Sequence, residues 1–391
     1  MAERFRVLML NNIAVAGLER LPRDRYEVAS EIGHPDAIIL RSADMHSMPI
    51  PETVKAVARA GAGVNNIPVA RLTERGVPVF NAPGANANAV KELVIAGLLL
   101  AARNIAQAWN YVQALAGDDA AIHDAVEQGK KRFTGFELPG RTLGVIGLGA
   151  IGVQVANSAR ELGMQVMGFD PQLTVERAWQ LSSEVQQALS LDELFAKSDF
   201  VTVHVPLSDA TRHIVNAARL RLMPARGVVL NFARDGIVDE DAVLAALAED
   251  RLHAYVTDFP NARLRGNERV IALPHLGAST VEAEENCAVM VAENLRAFLE
   301  HGEIRHAVNF PDVRLARGEG AHRIAVANAN VPNMLGQVTT ALAAANLNII
   351  DMINKSRGEV AYTMVDVDQP VPAQTIETIR AIRGVLNVRT L

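Results

Sequence analysis

The chain has 391 residues, of which 49% are apolar and 21% charged, and its formal net charge is −6 at pH 7. That length supplies roughly two or three cored domains, and the acidic balance excludes a basic face for nucleic acid or an anionic membrane. One cysteine, Cys287, excludes a disulfide framework and a cysteine-ligated zinc site.

Taken in chain order, the opening MAERFRVLMLNNIAVAGL is expected not to be a signal peptide, because Asn11 and Asn12 interrupt its apolar run. The longest apolar helical candidate, 93–102, is far short of a membrane span, so a cytoplasmic protein with no membrane partner is the expectation. FRVLML, AIILRS, AGAGVNNI and VPVFNAP, within residues 1–85, read as short buried strands of an α/β sheet. Residues 86–286 open with the helical NAVKELVIAGLLLAAR and then alternate. Their strands are RTLGVIGL, MQVMGFD, DFVTVHV, GVVLNF, AYVTDF and RVIAL, with helices such as IGVQVANSARELG and DEDAVLAALAED between them. That alternation predicts a mostly parallel, doubly wound sheet of the Rossmann type. After the polar linker PDVRLARGEGAH, residues 320–391 read βαββαβ from RIAVAN to VLNVRTL, a ferredoxin-like unit. With a polar linker and its own apolar pattern, this unit is expected to be removable without unfolding the rest.

GLGAIG, residues 147–152, stands between a predicted strand and a predicted helix, the context that gives G-x-G-x-x-G its meaning. Gly147 permits the tight turn, Gly149 a close approach to a pyrophosphate, and Gly152 the packing of helix on strand. The N–H groups of the helix start then face the phosphates. Asp170 closes the next strand at the spacing of an acid that binds a ribose 2′-hydroxyl. Its charge repels a 2′-phosphate, so the predicted cofactor is NAD rather than NADP.

Substrate chemistry belongs beyond the C-terminal ends of such strands. Arg234 follows GVVLNFA and His275 follows RVIALP. Interconverting a hydroxy acid and a keto acid needs a cation that grips the carboxylate, which arginine does as a bidentate fork. It also needs an acid/base near neutrality for the hydroxyl proton while hydride moves at the same carbon.

With GLGAIG and Asp170, HVPL at 204–207, NFARDGIVDE at 231–240 and PHLGAST at 274–280, the chain resembles the D-isomer-specific 2-hydroxyacid dehydrogenases. Within them it is most similar to phosphoglycerate dehydrogenases that carry a C-terminal ACT domain. The resemblance implies two doubly wound parallel-sheet domains flanking a cleft, with the substrate domain split into 1–85 and 287–310. It implies cofactor contacts at Ala150, Ile151, Asp170, His204, Pro206, Phe232, Ala233, Asp258, Gly277 and Ala278. On the substrate side it implies Arg41, Ser42 and the backbone of Gly61, Gly63 and Asn65, with Lys130, Lys131 and Arg132 in a segment that relatives extend across a dimer interface. The family's glutamate that pairs with the histidine is absent: Ala262 stands at its place, and no carboxylate is expected to pair with His275. Asn328, Asn330 and Asn348 match positions that bind serine in relatives, in a domain that commonly pairs with a copy of itself. The expected activity is NAD-dependent oxidation of D-3-phosphoglycerate, with a serine effector and a homodimer or homotetramer. Oxidation of another D-2-hydroxy acid, or an NAD-binding corepressor of the same fold, stays open as an alternative.

Overall fold

The structure is a computed structural model that describes residues 4–391; the first three residues of the expected 1–85 segment, which also begin the stretch read as lacking a signal peptide, lie outside it. The chain separates into two units, one formed by the residues up to Asn86 together with Val281–Leu391, the other by Ala87–Thr280. Among the described residues no helix is long and apolar enough to cross a membrane.

In the first unit, β1 (Phe5–Met9), β2 (Tyr26–Ala29), β3 (Ala37–Leu40), β4 (Ala56–Arg59) and β5 (Val79–Phe80) form a parallel sheet ordered β2-β1-β3-β4-β5. The expected strand AGAGVNNI is instead the loop after β4, whose strand is AVAR. Two glycines and an Asn-Asn pair favour a turn over a pleat. In the second unit, β6 (Thr142–Ile146), β7 (Gln165–Phe169), β8 (Gln186–Gln187), β9 (Phe200–Val203), β10 (Gly227–Asn231), β11 (Leu252–Thr257) and β12 (Val270–Ala272) form a parallel sheet. Its order is β12-β11-β10-β9-β6-β7-β8. Each sheet winds both ways from its first strand, the doubly wound pattern.

The helix Val281–His301 is one continuous element of 21 residues, so the expected boundary at 286/287 falls inside it. It packs closely enough on the first unit that a Cβ at Gly17 would meet the backbone carbon of Ala288 at 2.6 Å. Its Glu300 is buried and accepts from Tyr26 Oη at 2.7 Å and Arg25 Nη1 at 2.8 Å. Burial, and then this carboxylate, push the Tyr26 hydroxyl well above its ordinary pKa.

The C-terminal sheet is antiparallel, ordered β14-β15-β13-β16, from β13 (His322–Ala329), β14 (Ile349–Arg357), β15 (Val360–Val367) and β16 (Val385–Thr390). Helices Met334–Ala344 and Ala373–Arg380 complete the βαββαβ order. Alternation along β13 and β15 sends side chains into two cores. Ile324, Val326, Val365 and Val367 meet the domain's own helices, while Ala325, Ala327, Tyr362 and Met364 join the core that holds Phe298, Leu299 and Phe310. The domain also ends the long helix. Arg323, fully buried, pairs with Asp366 through two contacts of 2.7 Å and donates to His301 O at 3.0 Å. Arg389 donates to Phe298 O and Leu299 O at 3.3 and 3.1 Å, and Tyr362 Oη donates to Gly302 O at 2.8 Å. Helix-end carbonyls lack partners within the helix and favour cations, and here the C-terminal domain supplies both.

This shared packing speaks against the expectation that the domain can be removed: its two central strands, β13 and β15, are buried on both faces, while β14 is exposed. Truncation at 320 should yield a chain that melts earlier or aggregates, read by circular dichroism. Asp366→Asn should leave the buried guanidinium without its counter-charge and cost roughly 3–5 kcal/mol, read from the urea midpoint. Wild-type unfolding of either variant would mean that the two cores are independent.

Candidate active site

The second sheet reverses direction between β6 and β9, and the glycine loop leaves β6 there. Gly147 has φ +89°, and a Cβ on it would sit 2.6 Å from His204 O at the end of β9. A Cβ on Gly152 would fall 1.9 Å from Gly147 O, so helix and strand touch through backbone. Gly149 differs: nothing lies within 4 Å of its would-be Cβ. It also caps the helix Ala150–Glu161 without any side chain accepting from the first turn, so the N–H groups there face open space.

Asp170 follows β7. Its Oδ2 accepts from Leu148 N and its Oδ1 from Gln172 N, both at 2.8 Å, which fixes the carboxylate beside the loop with lone pairs to spare. A recess of about 490 Å³ opens there, lined by Asp170, Pro171, Leu148, Leu189 and further apolar or neutral residues, with no lysine or arginine. A diol meets an acceptor in this recess, and a 2′-phosphate meets no cation. These residues fit NAD. His204 lies alongside, its Nε2 at 3.0 Å from Thr202 Oγ1 and its buried Nδ1 without a protein partner. Burial pulls its pKa down to about 3, so the ring is neutral at working pH.

Three further strand ends of this sheet carry the residues singled out in the sequence. After β10, Asn231 Oδ1 accepts from Ala233 N at 3.1 Å and its Nδ2 donates to Arg234 O at 3.0 Å, bracing the turn that presents Arg234. The guanidinium is exposed and donates to Ala233 O at 2.6 Å; among the described residues no carboxylate forms an ion pair with it. After β11, Asp258 is buried, with Oδ2 accepting from Gly277 N at 3.3 Å and Oδ1 unpartnered. Burial raises its pKa, an effect partly offset by the charge of His275. After β12, His275 is exposed with the edge of its ring against Phe259, centroids 5.0 Å apart. Among the described residues no carboxylate lies within ion-pair distance of that ring. Around the family's glutamate position, Asn261 gives its amide to Glu240 instead.

In the first unit the reversal lies between β1 and β3, and Arg41 leaves β3 there. Asn11 Oδ1, just past β1, accepts from the backbone N–H of Arg41, Ser42 and Ala43 at 3.3, 3.2 and 2.8 Å. From the other side Asn66 Nδ2 donates to Arg41 O and Ala43 O at 3.2 and 2.7 Å. Sequence reasoning missed both asparagines, although Asn11 sits two residues past β1, at a strand end as Arg41 does. It also missed Arg59, which ends β4: a Cβ on Gly61 would fall 2.4 Å from its Nη1, so glycine leaves room for the guanidinium. Gly63 and Asn65 lie in the same loop, where Asn65 O meets His46 Nε2 at 3.1 Å.

The remaining expected residues make other contacts. Lys130 pairs with Glu127, and Arg132 lies over Tyr111 at 5.0 Å, lining a recess of about 740 Å³ with Trp109 and Phe133. In the C-terminal sheet Asn328 is buried with Oδ1 unpartnered, and Asn330 Nδ2 donates to Gly358 O at 3.0 Å. Asn348 N donates to Asp368 Oδ1 at 3.0 Å, at the far end of β15. At about 3.4 Å per residue the two ends are roughly 30 Å apart, so one copy of the chain does not bring the three asparagines together.

Asp170→Ala should weaken NAD binding and narrow the preference for NAD over NADP. Paired Michaelis constants with an unchanged ratio would remove Asp170 from the cofactor site.

Comparison with known proteins agrees with this geometry. The family model for the D-isomer specific 2-hydroxyacid dehydrogenase, NAD binding domain, matches residues 95–277. The chain is 33% identical over 341 residues to a D-3-phosphoglycerate dehydrogenase of Haemophilus influenzae, covering 84% of this chain and 79% of that one. It is 34% identical over 351 residues to one of Methanocaldococcus jannaschii, covering 87% of this chain but spanning only 63% of that protein. Among solved structures, D-mandelate dehydrogenase of Rhodotorula graminis superposes with a TM-score of 0.67 at 25% identity, over 78% of this chain and 98% of that one. With a glycine loop, an acid at the β7 end and an Arg/His pair at two further strand ends, the chain belongs to the D-isomer specific 2-hydroxyacid dehydrogenase family.

Proposed function

We propose that the chain oxidises D-3-phosphoglycerate to 3-phosphohydroxypyruvate with NAD, the first step of serine synthesis. The observation that carries the substrate choice is Arg41, held by Asn11 and Asn66 at the switch point of the first sheet, in a chain similar to D-3-phosphoglycerate dehydrogenases over most of its length. Bound NAD supplies the hydride acceptor. Arg234 grips the substrate carboxylate, and among the described residues no carboxylate competes for its guanidinium. His275 takes the hydroxyl proton as the C2 hydride leaves, so the alcohol carbon becomes a carbonyl, and it returns that proton in the reverse direction. Arg41 holds the phosphate.

Two finer readings concern assembly. The helix Ile105–Gln113 buries none of its residues, and Ile105, Trp109 and Val112 stand exposed on it with Leu99 nearby. This supports a homo-oligomer that covers the face. The C-terminal domain is read as an ACT domain that binds serine between two copies. The unpartnered buried Oδ1 of Asn328 and the wide separation of Asn348 from Asn330 support a site completed by a second chain.

Arg234→Lys should lower kcat/KM by roughly 10²-fold, about 2.7 kcal/mol, with little change in NAD affinity. His275→Ala should lose most turnover while still binding NAD. Arg41→Ala should raise KM for the phosphorylated substrate far more than for D-glycerate; equal effects would place the phosphate site elsewhere, with Lys130, Lys131 and Arg132 next in line. Trp109→Glu should reduce the oligomer seen by light scattering, and Asn348→Ala should abolish inhibition by serine. An unchanged mass, or a serine response that survives, would overturn the respective reading.

A further inference from the structure

The phosphate cation is already engaged. Arg41 Nη1 lies 2.7 Å from Glu284 Oε1, and the two side chains are 38% and 43% exposed. Glu284 stands in the first turn of the helix Val281–His301, where the helix dipole favours a negative charge. A guanidinium carries five N–H donors, more than one carboxylate fills, so Arg41 is held but not saturated. Cys287, three residues on, reports the same cluster. Burial raises its pKa, the charges of Arg41 and Arg59 pull it back, and Glu284 pushes it up.

We propose that Glu284 is a specificity determinant, an internal competitor that weakens binding of any phosphate-bearing ligand at Arg41. The inference rests on the reading of Arg41 as the phosphate cation. A dianionic phosphate offers several acceptor oxygens and more charge than one carboxylate, so it displaces Glu284 from the guanidinium. The displaced carboxylate stays close and repels it. The cost falls alike on substrate, product and free phosphate, because all three use the same group. A penalty of that kind raises KM and leaves the chemical step alone. It limits the preference for phosphorylated over plain hydroxy acids, and it keeps the phosphorylated product from lingering. An exposed ion pair sets the size at about two- to fivefold.

The test uses the full-length enzyme with Glu284→Gln, Arg41→Ala and the double variant. The readouts are KM for D-3-phosphoglycerate, KM for D-glycerate, and competitive inhibition by inorganic phosphate. Glu284→Gln should lower KM for the phosphorylated substrate and the inhibition constant of phosphate by the same two- to fivefold factor. KM for D-glycerate should move less, and the effect should shrink in the Arg41→Ala background. A rise in KM would make Glu284 a clamp that positions Arg41, and no change would make the pair incidental; either result overturns the inference alone if Arg41→Ala still abolishes the phosphate preference. If Arg41→Ala affects both substrates equally and phosphate inhibits neither enzyme, the phosphate reading falls and takes this inference with it.

Discussion

In each parallel sheet the chain leaves a central strand in opposite directions, so the loops after β1 and β3, and after β6 and β9, turn away from each other. Backbone N–H groups in that gap have no strand to pair with and need other acceptors. Side chains from the adjacent strand end supply them. Asn11 accepts from three successive N–H groups of the Arg41 loop, and Asp170 accepts from Leu148 N in the glycine loop. Asn231 braces its own turn in the same way before Arg234. Polar groups consumed in this manner build the loops; of the cations they present, Arg234 forms no ion pair among the described residues, while Arg41 meets Glu284.

The long helix Val281–His301 carries a second constraint. Its C-terminal carbonyls at 298, 299 and 301 accept from two arginines of the C-terminal sheet, and one of those arginines is itself paired in the core with Asp366. A buried ion pair is weak evidence of net stability, but it is costly to break. The arrangement therefore specifies where the C-terminal sheet sits on the helix more than it strengthens the fold. The same helix carries Glu284 near its start, so the element that seats the C-terminal domain also touches Arg41.

Electrostatics separates the titratable groups of the second sheet. His204 is kept neutral by burial, and Asp258 is pushed toward its protonated form by the same cause. His275 stands in solvent beside Phe259, with Asp258 as the nearby acid that feels its charge.

Short-range pattern alone determined a great deal. Apolar runs with the right turn residues located the strands that carry Arg41, Arg234 and His275, the glycine loop and Asp170 located the cofactor side, and the βαββαβ order of the last seventy or so residues was plain. Strand β2 and the loop character of 60–67 were lost, because short strands beside glycine and asparagine carry too weak a period. Only the tertiary structure decided that Asn11 and Asn66 anchor the Arg41 loop, that Glu284 meets Arg41, and that strands β13 and β15 are buried on both faces. A trace of the last was present, since VAYTMV in β15 is apolar nearly without alternation, as doubly covered strands are. Which surface covers the second face, and which acid reaches a given arginine, depends on contacts between residues far apart in the chain, and no local spacing encodes them.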